Sequence, residues 1–273
     1  QFFVSRDEKA VASYGSIYII REGEDDWVWL ATYEGLRKFD LVKKQVIPFQ
    51  MDAQTNELLS SDKTYDILRV SKNKYVVASE KQFSRLDETQ NTFVKDEVLS
   101  TTLDVSQFYT FIPDFSEDED YVLIAMTGGL WRYNVATSSL QKIHETRNVQ
   151  SEYILQPTEA ILDDYGTLWI SYPGHGLYGL DAKSYEQKYF FDTSNILPTN
   201  IVFSLEKDDN GYIWMGSHKG LLQLDPKTLS LKQFTTKEGL INNEFKWASK
   251  VRLNNGDMVY GSQKGFTLFD PSK

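Results

Sequence analysis

Apolar positions along this chain fall in short runs bounded by turn residues. The clearest case is 208–225, Asp-Asp-Asn-Gly-Tyr-Ile-Trp-Met-Gly-Ser-His-Lys-Gly-Leu-Leu-Gln-Leu-Asp. Asp-Asn-Gly marks a tight turn, because Asn and Gly accept positive φ cheaply. Tyr-Ile-Trp-Met is the continuous apolar run expected of a strand covered on both faces. His-Lys-Gly makes a second turn and Leu-Leu-Gln-Leu-Asp a second strand, so the segment predicts a β-hairpin.

The same pattern recurs six times, closing at Asp40, Asp87, Asn134, Asp181, Asp225 and Asp270, with spacings of 47, 47, 47, 44 and 45 residues. A period of about 40–50 residues holding about four short strands is the mark of a β-propeller blade. A column of small residues (Ala31, Ala78, Ala125, Ser171, Gly216, Gly261) fits the crowded ground near a hub. A Leu/Phe column (Leu36, Phe83, Leu130, Leu177, Leu221, Phe266) and a Trp column (Trp29, Trp169, Trp214, with Val76, Leu123 and Val259 in the other copies) supply apolar layers between blades. The closing Asp or Asn would start a turn by accepting from its own downstream backbone.

Within a copy the pattern predicts inner strand A through outer strand D. The first copy reads 17–21, 27–32, 36–40 and 46–50, and the second 65–70, 75–79, 83–87 and 92–95. The sixth stops after three strands (247–253, 258–262, 266–270), while residues 2–5 have the character of an outer strand. Either residues 2–5 complete the sixth blade as a clasp, or they belong to an upstream blade. The expectation is one domain over residues 1–273, all-β, with six repeats counted and seven blades the alternative.

Charge and composition then narrow the function. Net charge is −10, which argues against a nucleic-acid surface. No run of 18 apolar residues spans a membrane, so a membrane is met only through segments outside this sequence. The opening Gln-Phe-Phe-Val reads as a strand entered mid-protein rather than a signal peptide. Cysteine is absent, which bounds the compartment little.

By chain direction the B–C turns and D-to-A connections share one face, with long connections at 52–64, 97–107, 145–157, 192–200 and 237–245. Long loops gathered on a rigid scaffold are the usual place for recognition. His175 and His218 fall in neighbouring B–C turns there, either as ligand contacts or a metal pair or as two exposed turn histidines; His144, ending an outer strand, reads as surface. Without Cys a metal would need carboxylates too, and no His-x-x-x-His spacing occurs. The acidic run 117–120 lacks calcium-loop spacing and reads as a solvated turn. Asp163-Asp164 and Asp208-Asp209 sit in equivalent A–B turns, where Asp serves the backbone rather than catalysis. Aromatic and amide side chains suit sugar faces and hydroxyls, so loop position points to Tyr33, His175, His218, Asn242, Asn243 and Trp247 as ligand contacts. No catalytic residue, metal site or cofactor is expected. The rival readings are a metal-dependent propeller lyase or lactonase and a pure protein-interaction propeller.

Residues 164–171, Asp-Tyr-Gly-Thr-Leu-Trp-Ile-Ser, and 210–221, Asn-Gly-Tyr-Ile-Trp-Met-Gly-Ser-His-Lys-Gly-Leu, resemble the two-component regulator propeller repeat, roughly D-x-x-G-x-[IL]-W-[IV]-G-T-x-x-G-L. Residues 238–245 and 261–271 resemble the last blade of such propellers. Copies two and three depart from the pattern in lacking Trp, and family propellers generally have seven blades. The resemblance implies an extracytoplasmic, periplasmic sensor in an inner-membrane protein, often one for oligosaccharides. It also implies a histidine kinase or diguanylate cyclase downstream. The partners expected are a small solute or oligosaccharide or, as an alternative, a second copy in a homodimer through the full receptor.

Overall fold

The computed structural model describes residues 16–23, 26–49, 63–90, 92–115, 120–145 and 156–273. Six antiparallel sheets follow one another along the chain. They are β1 (Ile17–Glu22), β2 (Trp27–Thr32), β3 (Gly35–Asp40) and β4 (Gln45–Pro48); β5 (Thr64–Ser71), β6 (Lys74–Ser79), β7 (Phe83–Asp87) and β8 (Thr92–Lys95); and β9 (Phe108–Pro113), β10 (Tyr121–Met126), β11 (Gly129–Asn134) and β12 (Ser139–Glu145). Next come β13 (Glu159–Leu162), β14 (Thr167–Tyr172), β15 (Gly176–Asp181) and β16 (Gln187–Phe191); β17 (Val202–Lys207), β18 (Ile213–Ser217), β19 (Gly220–Asp225) and β20 (Ser230–Phe234); and β21 (Phe245–Arg252), β22 (Met258–Ser262) and β23 (Gly265–Phe269). Each sheet is a blade, and the fold is the all-β propeller of six repeats read from the period. The sixth sheet has three strands among the described residues. The suggested clasp at residues 2–5, the acidic residues 116–119 and most of the connections 52–64 and 145–157 lie outside the described residues.

One connection differs from the sequence reading. Residues 97–107 hold a short helix α1 (Glu97–Thr102) and a 3₁₀ turn (Val105–Gln107) rather than an irregular loop. Asp96 caps α1 by accepting from Leu99 N at 3.0 Å, and Leu99 is buried in the core below. The Tyr133 hydroxyl donates to the other Asp96 oxygen at 2.5 Å, and burial, with that bond, pushes its phenol up to about 12. A helix this short shows no periodicity, so tertiary anchoring decides it.

The chain divides into two compact units, Gln1–Met126 with Trp131–Lys142 and Thr127–Leu130 with Ile143–Lys273. Within each, consecutive blades pack through the Trp and Leu/Phe columns. In the first, Trp29, Leu36, Ile67, Tyr75 and Leu86 share a core; in the second, Trp169, Leu177, Leu205, Met215 and Leu222 do. Full burial of such a side chain stabilises by roughly 1.5–3 kcal/mol. The Leu/Phe column fails once: Phe266, on the edge strand of the three-stranded sheet, is 62% exposed where its five counterparts are buried. The small-residue column is as crowded as expected. Ala31, Ala78, Ala125 and Ser171 are fully buried, and a Cβ at Gly261 would fall 2.0 Å from Ser249 Oγ.

Ion pairs tie the inner strands of each unit by the same device. In the first, Asp66 on β5 accepts from Phe111 N at 2.8 Å while Arg21 on β1 donates to Phe111 O at 2.8 Å and to the Asp66 carboxylate. In the second, Glu159 on β13 accepts from Leu205 N at 2.6 Å, while Lys250 on β21 donates to Leu205 O and pairs with Glu159 (3.0 Å) and Glu206 (2.9 Å). A carboxylate and a cation thus grip the N–H and C=O of one β-strand residue, Phe111 in the first unit and Leu205 in the second. Burial raises the Glu159 carboxyl against the pull of Lys250; burial also works against the Lys250 charge, but the two carboxylates outweigh it and hold the ammonium above its ordinary value.

Candidate functional site

The loop face is built from a repeated turn. In the first blade Thr32 Oγ1 donates to Gly35 O at 2.7 Å and accepts from Glu34 N at 3.2 Å, while Tyr33 N donates to Ser16 O at 2.9 Å. Ser217, Lys219, Gly220 and His218 do the same in the fifth blade, with His218 N donating to Ile201 O at 3.2 Å. Tyr33 and His218 are therefore equivalent tip residues, and both side chains are exposed.

His175 is different. In Pro173-Gly174-His175 the residue after Tyr172 is a proline, which has no N–H to make the tip bond; Gly174 N donates to Asn200 O at 2.9 Å and His175 N donates back to Tyr172 O at 2.8 Å. The imidazole is then 7% exposed. The expectation of two exposed turn histidines fails at His175 for this reason. Among the described residues, no group of three or more His, Asp or Glu side chains is placed to hold a metal ion.

Asn243 anchors its connection: its Oδ1 accepts from Thr236 N at 2.8 Å and its backbone carbonyl accepts from Gly220 N at 2.7 Å. Asn200 repeats both bonds one blade earlier, with Thr193 N and Gly174 N. Asn242 Oδ1 accepts from Asn243 N at 2.8 Å. The carbonyl oxygens of both predicted amides are thus committed to the loop. Trp247 is 44% exposed, beside a register shift of the β21–β22 pair. His144, read as surface, is half-buried: Nδ1 lies 2.7 Å from the Tyr172 hydroxyl, its ring packs on Tyr172 and Tyr178, and burial pulls its pKa down to about 4.

The sequence reading missed the residues around Tyr33. Tyr18 and Tyr65 occupy the same position, second in the inner strand, of blades one and two, and Tyr109 and Phe203 repeat it in blades three and five. Tyr18 and Tyr65 meet edge to face with centroids 6.3 Å apart, and His218 meets Phe203 likewise at 4.9 Å. Lys63 Nζ stands 5.4, 5.6 and 5.2 Å from the ring centroids of Tyr18, Tyr33 and Tyr65. The Tyr18 hydroxyl holds this ammonium above its ordinary value, partly opposed by desolvation. The signal was available: an aromatic column at a 47-residue spacing, Tyr18 and Tyr65, is visible once the inner strands are aligned. The arrangement offers exposed π-faces, hydroxyls and a cation.

These features define a β-propeller with exposed aromatic residues, Tyr18 and Tyr33, at one end of its first blade. Residues 196–219 match the family described as "Two component regulator propeller". That segment, which contains Asn-Gly-Tyr-Ile-Trp-Met-Gly-Ser, is thus similar to one copy of the two-component regulator propeller repeat, where the sequence resemblance lay. No curated protein sequence matches it. Among solved structures it is similar to the extracellular domain of a proposed one-component system from B. thetaiotaomicron, with TM-score 0.73 and 16% identity over 98% of this chain and 34% of that one. It is also similar to the extracellular domain of a proposed hybrid two-component system from B. thetaiotaomicron (TM-score 0.71, 18% identity, 95% and 34% covered). A third neighbour is the computationally designed Ika8 protein (TM-score 0.61, 11% identity, 93% and 83% covered). The chain spans about a third of the length of the two B. thetaiotaomicron domains. At these identities the likeness is one of fold.

Proposed function

We propose that this chain is an extracytoplasmic, periplasmic ligand-sensing propeller of a membrane-bound bacterial signalling receptor. It recognises an oligosaccharide or similar solute and does no chemistry on it. The observation that carries this reading is the aromatic group formed by the start of the inner strand and the tip turn of blade one, with Tyr18 44% and Tyr33 57% exposed. Flat rings with hydroxyl edges suit the apolar face of a sugar, and two-χ aromatics lose little entropy on binding. The repeat matched at residues 196–219 and the extracellular domains of one-component and hybrid two-component systems among its structural neighbours support the signalling context. No helix among the described residues is long and apolar enough to cross a membrane. In this reading other segments of a longer receptor carry the anchor, the kinase or cyclase and any dimer contacts.

The test is a thermal-shift screen of the chain against defined oligosaccharides, with and without EDTA. Ligand at a hundredfold excess over its dissociation constant adds about 2.7 kcal/mol, enough to move a midpoint visibly. A sugar-specific shift insensitive to EDTA is the expected outcome. Destabilisation by EDTA with no sugar effect would point instead to a metal-dependent enzyme, and silence throughout to a protein partner.

A further inference from the structure

Among the described residues four cations of the first unit lie over aromatic rings, Lys38, Lys63, Arg132 and Lys142, and Lys38 and Arg132 each also carry a carboxylate. Lys38 stands 3.8 Å from the Trp27 ring centroid and is paired with Glu88. Arg132 stands 3.6 Å from the Tyr121 centroid and is paired with Asp114 at 2.9 Å. Lys63 differs from Lys38 and Arg132. It is ringed by Tyr18, Tyr33 and Tyr65, yet forms no ion pair among the described residues. The Glu80 carboxylate is felt only at a distance, although Glu80 N donates to Lys63 O at 2.8 Å.

We propose that Tyr18, Tyr33, Tyr65 and Lys63 form a subsite for an acidic sugar residue, one bearing a carboxylate or a sulfate. The ammonium pairs with the anion while the exposed Tyr18 and Tyr33 rings stack on the sugar. This rests on the sugar-sensing reading above and narrows its ligand class. The rings hold the ammonium in place before any ligand arrives, so less side-chain freedom is lost on binding. The ammonium has three N–H donors and no carboxylate among the described residues, so the cation is the group that a neutral sugar would leave uncompensated. The net charge of −10 does not forbid this. At physiological salt, exposed charges beyond about 8 Å are largely screened, and the local cation dominates.

The experiment is isothermal titration of the 273-residue chain with trigalacturonate, a monosulfated disaccharide and neutral maltotriose. We expect an acidic sugar to bind, with affinity falling as salt rises. Lys63→Met should weaken that binding about ten- to a hundredfold and flatten its salt dependence, whereas Lys63→Arg should keep most of it. Which acidic probe binds tells carboxylate from sulfate. Maltotriose binding as tightly as the acidic sugars, or acidic binding unchanged in Lys63→Met, overturns the inference and leaves sugar sensing standing. No binding of any sugar by the wild type overturns both. Should Lys63→Met fail to fold, the exposed Tyr33→Ala variant and the wild-type salt titration decide: unchanged affinity in both rejects the subsite.

Discussion

Asp208 Oδ2 accepts the indole N–H of Trp214 at 2.9 Å, while Oδ1 of the same carboxylate accepts from Asn210 N and Tyr212 N. One side chain thus closes the A–B turn and fixes the Trp that fills the layer between blades. Asp163 does the same for Trp169, at 2.8 Å, in the preceding blade. The second Asp of each pair reaches sideways instead: Asp164 meets Lys207 at 2.7 Å and Asp209 meets Arg252 at 2.5 Å. Blade one holds Gly23 where blades four and five hold this Asp, and among the described residues Trp29 Nε1 finds no hydrogen-bond partner.

Asp208→Ala should therefore destabilise the chain by about 2–4 kcal/mol, because it strands a buried indole donor and two turn amides. Asp209→Ala, on a side chain 82% exposed, should cost under about 0.5 kcal/mol. Urea unfolding of the two variants checks this; similar losses would contradict the division of roles.

Lys250→Met removes the cation between Glu159 and Glu206 and leaves Leu205 O without its partner. A loss of about 3 kcal/mol is expected, with part of it regained in Lys250→Met/Glu159→Gln, where the uncompensated charge is relieved. Denaturant midpoints of the single and double variants test the pair. A double variant less stable than Lys250→Met would show that the charge was not the source of the loss.

Burial lowers the His144 pKa from 6.5 to about 4, so the native state resists a proton that the unfolded chain accepts. That contribution to stability is complete above pH 6.5 and is lost as the pH falls through that value toward about 4, a total of roughly 3 kcal/mol. His144→Gln should flatten the decline of stability between pH ~7 and ~4.5. The check is urea midpoints against pH; parallel curves for the two proteins would rule the assignment out. Asp270, held down to about 2 chiefly by the Ser272 hydroxyl, acts only in more acidic solution.

Gly220 closes the tip turn at φ +108, and a Cβ there would lie 2.1 Å from Phe234 O. Gly166 has φ +78 with open space around it. Gly220→Ala should cost more than about 2 kcal/mol, since backbone clash adds to strain, whereas Gly166→Ala should cost about 1 kcal/mol from conformation alone. Thermal midpoints should separate the two variants, and equal shifts would mean that the clash relaxes freely.

What the sequence determined by itself was local. Apolar runs between turn residues specify strands, and the Asp and Asn residues that end each third strand accept from amides two or three positions on, as in Asp40 with Val42 and Lys43. Repeated at an almost constant period, these short-range preferences define the blades and the family repeat. Tertiary structure decided what lies about one blade away in the chain. It brought Lys63 among three tyrosines from two blades, tied Lys250 to Leu205, and packed His144 against Tyr172. It also turned His175 inward while leaving its apparent counterpart His218 outside. Such contacts depend on how one sheet stacks on the next, and a single proline in a turn or one edge strand is enough to change them.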